Sequence, residues 1–323
     1  SDHMFICDYA NGVWGEPEII PYAPIQLDPS ASALHYGQAI FEGMKAYKDD
    51  HDDVWLFRPD QNIKRLNKSA ERLAIPQFPE DLFLEGLHKL IDLDRNWVQS
   101  GAGNSLYIRP FMFASEACVQ ASPAKEYRIM IICAPVSSYY NSGEVRVKIA
   151  DHFSRAPQGG TGYAKAAGNY AGQFYPTQLA IDEGYQQIIW TDAATHQYIE
   201  EAGTMNLFFY IGDKLITAPT SDSILDGVTR KSVIELAKDL GIEVETRQLS
   251  VSELIESAKN NSLKEIFGSG TAVVVLPIHG FGYKEEDFQL TKSEDSIALK
   301  LKSKLTSIQY NKTDDPYGWR VKV

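Results

Sequence analysis

Residues 159–170 read Gly159-Gly160-Thr161-Gly162-Tyr163-Ala164-Lys165-Ala166-Ala167-Gly168-Asn169-Tyr170. A single amine among small residues suits covalent attachment to a carbonyl better than it suits a surface role. Lysine's ammonium gives up its proton readily when desolvated, and the freed lone pair is a nucleophile. The glycines leave room for a flat group or a phosphate to approach the backbone. Two nucleotide motifs fail on spelling. A P-loop needs Gly before its lysine and Ser or Thr after it, where this chain has Ala164 and Ala166. A dinucleotide fingerprint needs a third glycine where Gly160-Thr161-Gly162 runs on into Tyr163 and Ala164. Read alone, the segment is equally a flexible loop carrying a solvated lysine.

Working outward, the chain has 323 residues, 44% hydrophobic and 23% charged, which is enough for about two globular domains. A formal net charge of -12 argues against a nucleic-acid partner. It leaves small substrates open, because a positive pocket can sit within an acidic surface. The three cysteines, Cys7, Cys118 and Cys133, are odd in number and far apart. They imply neither a disulfide framework nor a zinc knuckle, and point to a reducing, cytoplasmic setting. The seven histidines include no i, i+4 pair, so no metal site is expected. The apolar run at 272–276 stops at Pro277, too short for a bilayer, and no secretory signal opens the chain. The start at Ser1-Asp2-His3-Met4 reads as though residues precede it.

Periodicity places the elements. A strand is predicted at 54–57, then a helix capped by Asp60 with Ile63, Leu66, Ala70 and Leu73 on one face, ended by Pro76. A second helix starts near Pro79 and carries Phe83, Leu87, Leu90, Ile91 and Trp97. Strands follow at 106–109 and 128–133. Residues 134–143, rich in Pro, Ser and Gly, read as the connection between domains. Beyond it come a strand at 145–149 and a hairpin, 207–211 with 214–217, turned by Gly212-Asp213. A helix with Val233, Leu236, Ala237 and Leu240 closes at Gly241, and Ser250-Val251-Ser252-Glu253 reads as a capping box. Without a regular βαβ rhythm, an α+β architecture in two domains fits best.

Four more segments match what a pyridoxal phosphate site requires. A carboxylate must keep the ring nitrogen protonated so that the ring can store electrons. Glu200-Glu201 supplies two candidates, of which a strand can aim only one at the ring. Gly227-Val228-Thr229 stands where a helix starts and offers free amides to an anion. Gly268-Ser269-Gly270-Thr271 offers a second turn with hydroxyls, and Arg65 flanks the apolar stripe of its helix. Singly, each reads as a cap, a turn or a surface charge. A nucleotide-binding module and a catalytically silent scaffold are the rivals from other classes.

The order of the lysine turn, Glu-Ala-Gly-Thr-Met-Asn at 201–206, Gly-Val-Thr-Arg at 227–230 and Gly-Ser-Gly-Thr-Ala at 268–272 resembles the fold-type IV pyridoxal phosphate enzymes. The segment 34–47 (LHYGQAIFEGMKAY), with Phe57-Arg58-Pro59 and Tyr107-Ile108-Arg109-Pro110, is similar to the branched-chain amino acid aminotransferases over nearly the whole chain. Within the same fold, D-amino acid aminotransferase and aminodeoxychorismate lyase are the runners-up. The resemblance implies the two-domain, D-amino acid aminotransferase-like architecture, with a small domain over 1–134, a loop over 135–144 and a large domain over 145–323 carrying the lysine. It implies transamination of L-leucine, L-isoleucine and L-valine with 2-oxoglutarate, giving 2-oxo acids and L-glutamate.

By position, the resemblance implies that Lys165 binds the cofactor covalently and shuttles a proton. Glu201 would hold the ring-nitrogen proton and Tyr170 would bond the phenolic oxygen. Arg65, Thr271 and the amides of Val228 and Thr229 would take the phosphate. Phe41, Tyr107, Tyr139, Thr204, Thr271 and Ala272 would line the side-chain pocket. Tyr36 would come from the other subunit of a homodimer, and Arg109 would meet the carboxylate of glutamate. Some family members carry Cys-x-x-Cys after the Thr-Ala turn; Val273 and Leu276 stand there here, which excludes that thiol switch.

Overall fold

Along Leu106-Tyr107-Ile108-Arg109-Pro110-Phe111-Met112, apolar residues recur at period two, so Leu106, Ile108 and Met112 share one side of a pleated strand. The computed structural model describes residues 1–137, 144–291 and 295–323. It makes this run part of the strand Ser105–Ala114 and buries those three side chains completely, while Tyr107, Arg109 and Phe111 are half-buried opposite them.

The chain divides into two units, Ser1–Tyr139 with Ala164–Gly168 and Ser307–Val323, and Tyr140–Tyr163 with Asn169–Thr306. The first unit holds β1 (His3–Ala10), β2 (Val13–Trp14), β3 (Glu18–Pro21), β4 (Ala39–Phe41), β5 (Met44–Lys48), β6 (Val54–Phe57), β7 (Ser105–Ala114) and β8 (Tyr127–Val136). The C-terminal strand Arg320–Lys322 joins them at one edge, giving the order C-terminal strand, β6, β5, β7, β8, β1, β2, with β3 on β1 and β4 on β7. A short helix, α1 (Ser32–Tyr36), precedes β4.

The helices α2 (Pro59–Arg72) and α3 (Glu80–Leu93) pack into the core of this unit. On α2 the predicted stripe is present: Ile63, Leu66 and Ala70 are fully buried while Lys64, Lys68 and Glu71 are exposed. Its start differs from expectation. Arg58 takes the left-handed N-cap conformation before Pro59, so Asp60 falls in the first turn, where a carboxylate favours the positive end of the helix dipole. Trp97 lies beyond α3 in the 3-10 turn Arg95–Trp97, outside the helical stripe.

One irregularity of the sheet bears on function. Pro110 has no N–H to give, and the neighbouring strand breaks beside it: Phe41 pairs with Phe111, Met44 pairs with Ile108, and Glu42-Gly43 lies between. Glu42 N donates to Pro110 O at 2.7 Å, and its side chain is completely buried.

The second unit holds β9 (Arg146–Ile149), β10 (Gln187–Thr191), β11 (Ile199–Ala202), β12 (Met205–Ile211), β13 (Lys214–Thr217), β14 (Glu243–Thr246), β15 (Leu263–Gly270), β16 (Val274–Ile278), β17 (Gly280–Tyr283) and β18 (Glu286–Gln289). Their order is β14, β13, β12, β11, β10, β9, β17, β18, with β15 also on β12 and β16 on β15. Parallel pairs (β9 with β10 and β17, β13 with β14) mix with antiparallel ones. The remaining helices are α4 (Ala167–Ala171), α5 (Phe174–Asp182), α6 (Val228–Asp239), α7 (Val251–Lys259) and α8 (Ile297–Gln309). The α+β class read from the sequence is the one observed. No helix among the described residues is long and apolar enough to cross a membrane.

The division expected from sequence, with the lysine and the C-terminus in the second domain, differs from these units in two places. Ala164–Gly168 and Ser307–Val323 both belong with the first unit. Lys165 does so because its flanks bond there: Ala166 bridges Ile40, and Phe41 N donates to Lys165 O at 3.0 Å. The C-terminal strand does so because it pairs with β6.

Candidate active site

Two groups of polar side chains stand out, one in each unit. In the first, Lys165 is half-buried and fixed through its backbone. Its amide donates to Ser69 Oγ at 3.0 Å, and Ser69 Oγ itself donates to Arg65 O one turn back on α2, also at 3.0 Å. One serine therefore joins the turn bearing Arg65 to the turn bearing the lysine. Lys165 Nζ lies 4.5 Å from the centroid of the Phe41 ring.

Beside it, Arg65 is 9% exposed and grips Glu42 with two bonds, Nε to Oε1 at 2.7 Å and Nη2 to Oε2 at 2.9 Å. Asn62 Nδ2 adds a third at 2.8 Å. Burial alone would raise the pKa of Glu42. The Arg65 guanidinium, with smaller contributions from Lys165 and Asn62, outweighs it and holds this carboxyl below the usual range. Arg65 is thus no surface arginine, as its flank position suggested, but the cation of a buried pair.

On the half-buried side of β7, Arg109 Nη2 donates to Tyr107 Oη at 2.9 Å, and the guanidinium stacks 4.7 Å from the Phe41 ring centroid. Phe41, Tyr107, Arg109 and Lys165 therefore form one cluster. Tyr36 lies apart from it on α1, half exposed, its hydroxyl donating to Val119 O. Tyr139 lies outside the described residues.

In the second unit, a row of polar side chains crosses three strands. Glu201 on β11 pairs with Asn206 on β12, and Asn206 pairs with Ser269 on β15. All three are buried. Asn206 Nδ2 donates to Glu201 Oε2 at 3.2 Å, and Arg155 Nη1 forms an ion pair with Oε1 at 2.6 Å. The neighbour Glu200 points the other way and accepts from Ser223 Oγ, as strand alternation demands. Burial raises the Glu200 pKa above the usual range, only partly offset by that hydroxyl.

Val228 and Thr229 open α6 behind Gly227, whose amides no side chain caps. A Cβ on Gly227 would sit 2.0 Å from Asn206 Oδ1, so a glycine is needed there. Thr204 is exposed at the β11–β12 turn, and its carbonyl lies beside Gly270, next to the half-buried Thr271 and Ala272. Tyr170 is half-buried on α4. One expectation needs correction: at Gly162 the missing side chain makes room for protein, not for a ligand. A Cβ there would lie 2.5 Å from Ser223 Cα.

The family description Amino-transferase class IV matches residues 39–281. Curated relatives match from end to end: the probable branched-chain-amino-acid aminotransferase of Staphylococcus epidermidis is 44% identical over all of this chain and 91% of its own length. The chain belongs to the class IV amino-transferases. Branched-chain-amino-acid transaminase 1 of Bacillus subtilis, 45% identical over all of this chain and 92% of its own, points to the same branch of the family. Among solved structures, the branched-chain amino acid aminotransferase from Escherichia coli superposes with a TM-score of 0.76. It is 26% identical, with 99% of this chain and 98% of that one covered.

Class IV amino-transferases work with pyridoxal phosphate, and the residues of this member fit it. The fit is clearest at the anion-binding end. Ser269 Oγ is buried with no hydrogen-bond partner among the described residues, and its strand partner Asn206 lies with Oδ1 against Gly227, the N-cap of α6. A stranded hydroxyl beside free helix amides suits a phosphate oxygen. Sequence reasoning missed Glu42, Ser69, Arg155 and Asn206. Glu42 and Asn206 stand inside the motif segments 34–47 and 201–206 but the resemblance gives them no role there, while Arg155 sits among mostly exposed loop residues that carry no such signal.

Proposed function

We propose that this aminotransferase moves the amino group of L-leucine, L-isoleucine or L-valine to 2-oxoglutarate, with Lys165 as the residue that holds the cofactor and moves the proton. The bound cofactor supplies an aldehyde for the amine and a ring that takes up the electrons released when Cα loses its proton. Lys165 Nζ takes that proton and returns it at the neighbouring carbon. The pinning of the lysine backbone by Ser69 and Phe41, next to the Glu42–Arg65 pair, is the observation that carries this reading. A base fixed at its root loses less freedom when it must aim at one carbon.

Glu201 holds the ring nitrogen and Tyr170 bonds the phenolic oxygen. Arg65, Thr271 and the amides of Val228 and Thr229 take the phosphate. Phe41, Tyr107, Tyr139, Thr204 and Ala272 form apolar walls for the substrate side chain, each buried methylene contributing about 0.8 kcal/mol. Arg109 turns its guanidinium to the distal carboxylate of 2-oxoglutarate. The two units serve as the small and large domains of the fold. The chain acts as a homodimer in the cytoplasm, with Tyr36 reaching the partner's pocket.

Lys165→Ala tests the core of this. The purified variant should lose the absorbance of covalently held cofactor and nearly all glutamate formation from leucine and 2-oxoglutarate. Retention of both would overturn the assignment.

A further inference from the structure

We propose that Arg155 is a positioning residue: it keeps Glu201 ionised and ties that carboxylate to the turn leading into Lys165. The proposal deepens the reading above and rests on Glu201 serving the ring nitrogen. The side chains of Arg155 and Glu201 are 3% and 5% exposed, and Nη1 stands 2.6 Å from Oε1. A carboxylate at that depth takes up a proton unless a cation compensates it. Once neutral, it has no charge with which to hold a proton on a ring nitrogen. Two further donors to Glu201, Asn206 Nδ2 at 3.2 Å and Leu225 N at 3.4 Å, are neutral. They orient the group, whereas Arg155 charges it.

The same guanidinium reaches two more acceptors, Ser223 O at 2.7 Å from Nη1 and Gly162 O at 3.1 Å from Nη2. Those two segments are already pressed together. Tyr163 N donates to Asp222 O at 3.0 Å, and Gly159 N donates to Asp222 Oδ2 at 3.1 Å. Only the planar fork of arginine holds an ion pair and two carbonyls from one fixed position. Arg155 therefore combines two separable functions: a charge, which lysine could replace, and a brace, which lysine could not.

Infrared spectra of the apoprotein read the charge without any cofactor. Arg155→Met should show a protonated-carboxyl band that is absent from the wild type and from the Arg155→Met, Glu201→Gln double variant. In the loaded enzyme, Arg155→Met should lower kcat about 100-fold while the KM for leucine stays within about threefold. Arg155→Lys should lack the band and recover kcat to within about tenfold of wild type. The double variant should be no worse than Glu201→Gln alone, because the arginine acts through the glutamate. Absence of the band in Arg155→Met, or losses that multiply in the double variant, would overturn the proposal. If Arg155→Met does not fold, Arg155→Lys decides: a band there, or a loss as large as 100-fold, overturns it. Cofactor absorbance surviving in Lys165→Ala would sink the underlying assignment yet leave the infrared result standing, so the two failures are distinguishable.

Discussion

Arg109 is held by Tyr107 Oη and by the face of Phe41, and this defines what its loss should do. If its guanidinium meets the second carboxylate of 2-oxoglutarate, that contact exists in only one half-reaction. Arg109→Gln should then lower kcat/KM for 2-oxoglutarate by about 10- to 100-fold and leave the leucine half-reaction within about threefold. Single-turnover measurements of each half separate the two, and equal losses in both would sink the role. Ser69 makes a different kind of contribution. Replacing it by alanine leaves the Lys165 amide without its acceptor, at a cost of about 1–2 kcal/mol. Thermal melting should register this as a drop of a few degrees.

Among the elements, α7 shows how far a motif can be trusted. Ser250 Oγ accepts from Glu253 N at 3.0 Å, as the predicted box requires. The reciprocal arm goes elsewhere, since the Glu253 carboxylate pairs with Arg247 at 2.6 Å. Ser250→Ala should cost about 1 kcal/mol, measurable as a lower denaturation midpoint in urea. Elements with a strong period were legible: the strand at 54–57, the stripe on α2, the hairpin of β12 and β13, and α6 with Gly241 behind it. What escaped depends on partners distant in sequence. Strand alternation puts Glu42 on the buried side with Ile40 and Met44, but the cation that meets it there, Arg65, comes from a separate helix. Arg155 looks like a loop residue until Glu201 and Ser223 converge on it. Lys165 and Glu201, the lysine and acid of the proposed function, could be singled out because their flanking residues form motifs. The residues that hold them in place do not.

At the scale of the molecule, the first unit is assembled from separate stretches of chain, and Asp49 is one of the joints. Its carboxylate accepts from Asn311 Nδ2 at 2.7 Å, Trp55 Nε1 at 2.9 Å and the amides of His51 and Asp53. Burial would raise its pKa, but these donors, Asn311 foremost, bring it down to about 2 from 3.8. The folded-state value lies below the unfolded one, so the stabilisation is complete above about pH 4 and is lost as pH falls towards 2. It is worth about 2 kcal/mol. Asp49→Ala should therefore be less stable than wild type at pH 7, and the gap should narrow by about that amount in urea melts repeated towards pH 2. A gap independent of pH would show that the carboxylate charge is not what holds the joint.

The return of the chain to its first unit at Ser307 has a further consequence during synthesis. A ribosome delivers residues in order, and domains generally close as soon as their parts have emerged. Here the β6 edge waits for the strand Arg320–Lys322 to be translated, long after β6 itself has left the exit tunnel. Nascent chains stalled before residue 307 should therefore carry an open sheet margin, the kind of surface that chaperones shield.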